Sequence, residues 1–205
     1  MHVSILKLCG YVSDLVLPPR RSERIVRALS GEVLHELATR DYTLPYHDTR
    51  VTALVWELKY RRNSYALSLA GTFLAERAME IAEESLSKPV LVPVPMHAAR
   101  KKTRGYNQTE LLCEAILKAS PDSFEYAPHA LVRVRNTIQQ QGLPKHRRLK
   151  NMLGAIEVQD VSKIAGKICI VVDDVSTTGA TVHETKRALL EDGASEVHIL
   201  TLAHS

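Results

Sequence analysis

Along the chain, apolar residues recur first at helical spacing and later in short β-branched runs. Ile25, Leu29, Val33 and Leu37 repeat every four residues after the Pro18-Pro19 break, which predicts a helix with Ser22 available as its cap. Val51, Leu54, Val55 and Leu58 make a second, short stripe. A longer third runs through Ala66, Leu69, Ala70, Phe73, Leu74, Ala78 and Ile81. Each helix keeps a polar face and must lean its apolar side on the α/β unit that follows. Lys59, Tyr60, Arg61 and Arg62 close the second stripe. They read as a helix end complementing its own dipole, slightly ahead of the alternative that they wall a site.

From Lys88 the period shortens. Val90-Leu91-Val92-Pro93-Val94-Pro95 predicts a strand entering a rigid loop, Met96 to Thr103. Arg104-Gly105-Tyr106-Asn107-Gln108 then leads into a helix whose stripe is Leu111, Leu112, Ala115, Ile116 and Ala119. Ala130 to Val134 is a further strand. The segment Arg135 to Lys150 has no periodic apolar face and reads as a mobile basic loop ending in a short basic helix. Ile168 to Val172 is too short and too β-branched for a helix, so it is taken as a strand buried on both faces. Val182, Thr185 and Leu189 mark the next helix, Gly193 ends it, and Val197 to Leu202 supplies the last strand. The order predicts an α/β fold, a central mostly parallel sheet flanked by helices, whose ligand loops open on one edge. Residues 1–87 form an N-terminal helical segment packing on a core at 88–205, with the mobile basic loop near 135–150.

Composition changes this picture little. At 205 residues, 45% hydrophobic and 24% charged, the chain is one ordinary domain, or one with an appendage. No apolar run approaches membrane-spanning length and Met1 to Gly10 has no signal-like pattern, so a soluble cytoplasmic protein is expected. Cys9, Cys113 and Cys169 lack the paired spacing of a zinc site, and the last two fall in apolar patterns as buried thiols. The net charge of +4 is modest, but ten of the 27 basic residues sit on two stretches. One is Arg100, Lys101, Lys102 and Arg104; the other is Arg133, Arg135, Lys145, Arg147, Arg148 and Lys150, with no acidic residue between Tyr126 and Ile156. Such segregation favours contact with a polyanion over a bland solvated face. Aromatic residues, 5% of the chain, hardly interleave with these clusters in sequence, which argues against a base-stacking groove.

The chemistry concentrates after Val172. Asp173 and Asp174 sit where the strand emerges, followed by Ser176, Thr177, Thr178, Gly179, Ala180 and Thr181. Amides of such a turn and of the first helical turn have no partner inside the helix, and a phosphate monoester offers oxygens to all of them. The hydroxyls of Ser176, Thr177, Thr178 and Thr181 can add bonds to the same oxygens, and Gly179 lets the backbone come close. An acidic pair beside a phosphate makes sense if the phosphate belongs to a sugar whose vicinal hydroxyls the carboxylates accept. The pair can also hold a water-coordinated Mg²⁺.

This run resembles the phosphoribosyl pyrophosphate (PRPP) signature of type I phosphoribosyltransferases. The resemblance implies that Asp173 and Asp174 meet the ribose hydroxyls while Ser176, Thr177, Thr178, Gly179, Ala180 and Thr181 hold the 5′-phosphate. Pro93-Val94-Pro95, with Met96 and His97 behind it, looks like the family's pyrophosphate loop. Arg104-Gly105-Tyr106-Asn107-Gln108 is similar to a hallmark of the ComF branch. Thr137, Gln140, Gly142, Leu143, Arg148, Asn151, Gly154 and Ala155 stand at ComF-like spacings, in a loop that in the family folds over bound PRPP. The implied fold is that of type I phosphoribosyltransferases. The implied activity is transfer of phosphoribose from Mg²⁺-bound PRPP to an unidentified acceptor, a base or a small amine, with release of pyrophosphate. Asp173, Asp174 and Arg104 would be the catalytic residues, Gln140 and Arg148 would belong to the flexible loop, and no metal would be held directly by protein.

The zinc ribbon of many ComF proteins is not expected, since Cys9 stands alone in its region. The core also resembles the transferase half of glutamine amidophosphoribosyltransferase, without that enzyme's catalytic cysteine. An alternative from another class stays open: a non-catalytic protein binding PRPP or a nucleotide monophosphate and touching single-stranded DNA, as the association of ComF proteins with DNA uptake and competence implies. A sensor whose PRPP site shifts the state of a homo-oligomer is a third.

Overall fold

The computed structural model describes residues 20–39, 41–85, 87–136 and 151–205. The first stripe is two helices rather than one, α1 (Arg21–Arg27) and α2 (Gly31–Leu37). Ser30 breaks it: its backbone is extended and its Oγ accepts the Val33 N–H at 3.4 Å, starting a new helix. Ser22 does not cap α1, whose N-cap position is taken by Arg20; its hydroxyl donates instead to Glu57 Oε1 at 2.6 Å. The second stripe is α3 (Thr49–Arg61), capped by Asp48 and ended by Arg62 in the left-handed region at φ 50°. Asn63 caps the third, α4 (Ser64–Glu83), through two N–H bonds, and its amide also donates to Glu57 Oε2 at 3.1 Å. The buried Glu57 carboxylate is thus bonded on both oxygens, and it locks the α3–α4 corner.

Between α2 and α3 lies a two-residue strand that periodicity did not reveal, β1 (Leu44–Pro45). Downstream come β2 (Val90–Pro93), α5 (Ala98–Arg104), α6 (Gln108–Ala119), β3 (Glu125–Tyr126), β4 (Leu131–Arg133), β5 (Ile156–Val158), β6 (Ile168–Ser176), α7 (Ala180–Glu191) and β7 (Glu196–His204). The main sheet has the order β1-β7-β6-β2-β3 with all pairs parallel. β4 and β5 pair antiparallel as a separate small sheet, so the strand expected at Ala130 to Val134 stands outside the main one. Residues 137–150, with Gln140 and Arg148, lie outside the described residues.

Two apolar clusters sandwich the main sheet. On one face α1 to α4 and α6 pack on Leu91, Ile170, Val172, Leu200 and Leu202. On the other, α7 and the β4–β5 sheet cover Val90, Val92, Cys169, Val171 and Val197. Strands covered on both sides read as continuous apolar runs, the signal carried by Ile168 to Val172. Cys113 and Cys169 are buried free thiols. Among the described residues no helix is long and apolar enough to cross a membrane.

Candidate functional site

The chain turns one way from β2, through α6 to β3, and the other way from β6, through α7 to β7. Those crossovers lie on opposite faces of the sheet, which makes the β2/β6 boundary its topological switch point, where loops at the strand ends part to leave a crevice. β6 outruns its neighbour there. Pairing with β2 stops at Pro93↔Val172, followed by one bond from Val94 N–H to Val172 O at 3.0 Å. Pairing with β7 continues through Asp173↔Thr201 to Ser176↔His204. The acidic pair therefore stands within the strand rather than past its end as expected from sequence; a partner on one side suffices to hold the backbone extended.

Both aspartates are buried. The Asp174 N–H donates to Asp173 Oδ1 at 2.9 Å. Burial, with the Asp174 charge next to it, pushes the Asp173 carboxyl up to about 8, against the opposing pull of Lys59 and Arg133. Asp174 Oδ2 is buried without a hydrogen-bond partner, and the Lys59 ammonium stands 3.3 Å from it as an ion pair. Lys59 is thus a wall of the site, and the preference for a bland helix end is corrected. Its neighbours Tyr60, Arg61 and Arg62 turn outward. Lys59 reaches the pair because the α3–α4 corner is locked one turn beyond it.

The hydroxyl turn keeps its polar groups open. Gly179, at φ 73°, is the N-cap of α7 and supplies no side-chain cap, so the first amides of a 12-residue helix have no side-chain acceptor. The hydroxyls of Ser176, Thr177, Thr178 and Thr181 make no hydrogen bond among the described residues. A Cβ on Gly179 would lie 2.9 Å from the His183 ring, so the approach there is tight as well as left-handed. Ser176 to Gly179 border a cavity of about 760 Å³ that opens toward β7 and the segment before β1; Asp173 and Asp174 do not line it.

The second loop is largely the short helix α5 rather than irregular chain. His97 caps it, Nδ1 accepting the Ala99 N–H at 3.3 Å, and Met96 precedes it half-buried. Arg104 donates to Gln108 Oε1 at 2.6 Å and lies over the Tyr60 ring at 5.3 Å. Asn107 caps α6 and donates to Val94 O at 3.1 Å, tying the helix to the end of β2.

Two further groups lie beside Asp173. Arg133, on β4, feels the Asp173 charge; its guanidinium is held below its ordinary value by burial and by neighbouring Arg100 on α5. Thr201 lies beside Asp173 in register, 6% exposed, with its hydroxyl unpartnered. Arg133 was visible in sequence only as one member of a basic stretch, and Thr201 as one polar position inside an apolar strand. Among the described residues no group of three or more His, Cys, Asp or Glu side chains is placed to hold a metal ion.

The aromatic residues, sparse in sequence, gather with arginines in space. On the exposed side of α3, the Trp56 and Tyr60 rings lie 5.2 Å apart, with Arg61 5.0 Å from Trp56. Arg104 covers Tyr60 and Arg62 lies 5.1 Å from Tyr106. None of these three arginines is in an ion pair among the described residues. Of the two basic clusters marked in sequence only Arg104 joins this group; Arg61 and Arg62 come from the end of α3.

Residues 75–205 match the family described as the phosphoribosyl transferase domain. The DNA utilization protein YhgH of Salmonella typhimurium is 33% identical over 174 residues, covering 82% of this chain and 71% of its own. The competence protein ComFC of Bacillus subtilis is 35% identical over 117 residues, 57% of this chain and 45% of its own. Among solved structures, a hypoxanthine phosphoribosyltransferase of Trypanosoma cruzi aligns over 68% of this chain and 65% of its own, with TM-score 0.43 and 13% identity. A parallel sheet with its switch point at β2/β6, and a family match spanning well over half the chain, make this a ComF-family, type I phosphoribosyltransferase-like protein.

Proposed function

We propose that the chain binds PRPP together with Mg²⁺ and transfers its phosphoribosyl group to an acceptor carrying a nitrogen nucleophile. The observation that carries this reading is the uncapped start of α7, preceded by a turn whose unengaged hydroxyls begin two residues beyond a buried acidic pair at the switch point. Amides and hydroxyls of Ser176 to Thr181 take the 5′-phosphate. Asp173 and Asp174 accept hydrogen bonds from the vicinal ribose hydroxyls. Two adjacent carboxylates, one with a buried unpartnered oxygen, also fit the outer contacts of a hydrated Mg²⁺ carried with the substrate. Bound Mg²⁺ supplies charge neutralisation for the departing pyrophosphate.

In the transfer the bond from C1 to the pyrophosphate oxygen breaks, C1 bonds to the acceptor nitrogen, and a proton leaves that nitrogen. Positive charge grows on the ring as the pyrophosphate departs, and the acidic pair stabilises it. At neutral pH the pair retains a proton on Asp173, to be released when cationic charge arrives beside it. On this reading Arg104, on α5, meets the departing pyrophosphate, with Arg100 on the same helix and Arg133 on β4 adding positive charge nearby. Gln140 and Arg148 belong to the segment proposed to shield C1 from water. Calorimetry with PRPP and Mg²⁺ tests the reading. The Asp173→Asn, Asp174→Asn double variant is expected to bind at least about 100-fold more weakly, having lost two charged acceptors. Equal binding would remove the ribose assignment, and a pyrophosphate-release screen over bases and amines then decides turnover.

A second reading has its own observation. The curated relatives are named for DNA utilization and competence, and the wall of Trp56, Tyr60 and Tyr106 with Arg61, Arg62 and Arg104 has the composition that single-stranded DNA requires. Bases stack on the rings while guanidiniums meet phosphates. On this reading the protein serves DNA uptake with or without turnover of PRPP.

A further inference from the structure

Lys59 reaches the acidic pair from the N-terminal helices, and the transfer chemistry above gives it no task. Its place on α3 is pinned from two directions. Glu57, two residues earlier, accepts hydrogen bonds from Ser22 and Asn63, and the Tyr106 hydroxyl donates to the Leu58 carbonyl at 3.1 Å. The lysine stem is therefore fixed at its root, and its end turns inward while Tyr60, Arg61 and Arg62 on the same turn are exposed. The ammonium stops 3.3 Å from Asp174 Oδ2, a buried oxygen that has no hydrogen-bond partner. It supplies charge there and leaves the oxygen's lone pairs to a ligand. Two adjacent buried carboxylates are hard oxygen donors that attract a divalent cation, and Lys59 stands where that attraction is strongest. Among the described residues no group of three or more His, Cys, Asp or Glu completes a metal cage around them.

We infer that Lys59 is a built-in counter-cation: it takes the place of a metal beside Asp174, so that the acidic pair turns away free divalent ions and meets Mg²⁺ only as part of the PRPP complex. The pyrophosphate of that complex supplies the oxygens that the protein lacks. Lys59 is a positioning residue, since it acts through Asp174. The inference rests on the reading of the pair as the ribose and Mg²⁺ contact, and it adds an order of events in which the ammonium leaves Oδ2 as the metal complex arrives. The Lys59 side chain is 22% exposed, against 5% for Asp174, so its end can move into solvent without displacing α3.

Mn²⁺, which shares the oxygen ligands of Mg²⁺ and whose free form is counted by electron paramagnetic resonance, is the probe. It is titrated without PRPP into the full chain, as wild type, Lys59→Met and Lys59→Arg, at one fixed pH and ionic strength. A positive charge within about 4–6 Å alters a carboxylate's affinity for a further positive charge by roughly tenfold or more. Lys59→Met is expected to bind Mn²⁺ at least about tenfold more tightly than wild type, Lys59→Arg to stay within about twofold of wild type, and Lys59→Met with Asp174→Asn to lose the gain. Thermal melts establish folding, and Mn²⁺ should raise the melting temperature of Lys59→Met while leaving that of wild type in place. A lysine that only propped the helix end would cost stability without uncovering a metal site. Equal Mn²⁺ affinity in Lys59→Met and wild type would therefore overturn the inference, as would a gain that survives Asp174→Asn, or failure of Lys59→Met to fold even with Mn²⁺. Calorimetry of wild type with PRPP and Mg²⁺ keeps the two readings apart. A Lys59-dependent block on Mn²⁺ in a chain that does not bind PRPP upholds the counter-cation and removes the PRPP reading, and PRPP binding without such a block does the reverse.

Discussion

At the scale of single residues, Asp173 concentrates the electrostatics of the site. Burial and the Asp174 charge raise its carboxyl from 3.8 to about 8, while Lys59 and Arg133 pull the other way. The folded chain therefore binds a proton that the unfolded chain has released across that interval. Stability from this group is fully present below about pH 4 and is lost as pH rises through about 8. Asp173→Asn carries no ionisable group there, so its unfolding free energy should decline less between about pH 5 and pH 9, the difference being on the order of 2–5 kcal/mol. Chemical denaturation of both proteins at stepped pH measures this, and parallel profiles would show that the carboxyl is already ionised in the fold.

At the scale of elements, the close approach of α4 and α6 holds the site's distant parts in place. A Cβ on Gly71 would lie 2.4 Å from that of Ala115, so the helices meet almost backbone to backbone. α6 begins at Asn107, which ties it to the end of β2, and α4 begins at the corner beyond Lys59. Gly71→Ala gains helix propensity worth about 1 kcal/mol yet forces the helices apart, for a net loss of about 1–3 kcal/mol in urea unfolding. Ala115→Gly in the same chain should return more than the sum of the single changes allows, because the two positions share one contact. Strict additivity in that double-mutant cycle would exclude the steric explanation.

At the scale of the whole molecule, net charge of +4 understates the field at one surface. Arg61, Arg62 and Arg104 come from two helices and gather around Trp56, Tyr60 and Tyr106 on the side away from the α7 face. A single-stranded thymidine oligonucleotide should bind with a log–log salt slope near about −2, the value for three phosphate contacts. Trp56→Ala and Tyr60→Ala should each weaken binding by about 1–3 kcal/mol while leaving the slope unchanged, since rings carry no charge. Fluorescence anisotropy over a salt series reads both quantities. Wild-type affinity in the two ring variants would remove this surface from any role with DNA.

The run from Ile168 to Leu189 was readable from sequence because its determinants are local. Strand, acidic pair, left-handed glycine and helix start follow one another in the chain, and neighbouring backbone geometry and unpaired amides decide their form. The α4 and α6 stripes were equally plain. Short-range patterns could not show that β1 closes the sheet edge with two residues or that β4 leaves the main sheet for β5. These choices depend on partners far along the chain. The same holds for Lys59 at Asp174, Arg133 near Asp173, Thr201 beside it in register, and aromatic rings 46 residues apart in number but joined in one wall by Arg104 and Arg62. Sequence determined which loop could grip a phosphate; strand order and register decided what surrounds it, because side chains from different elements meet only once the sheet has been assembled.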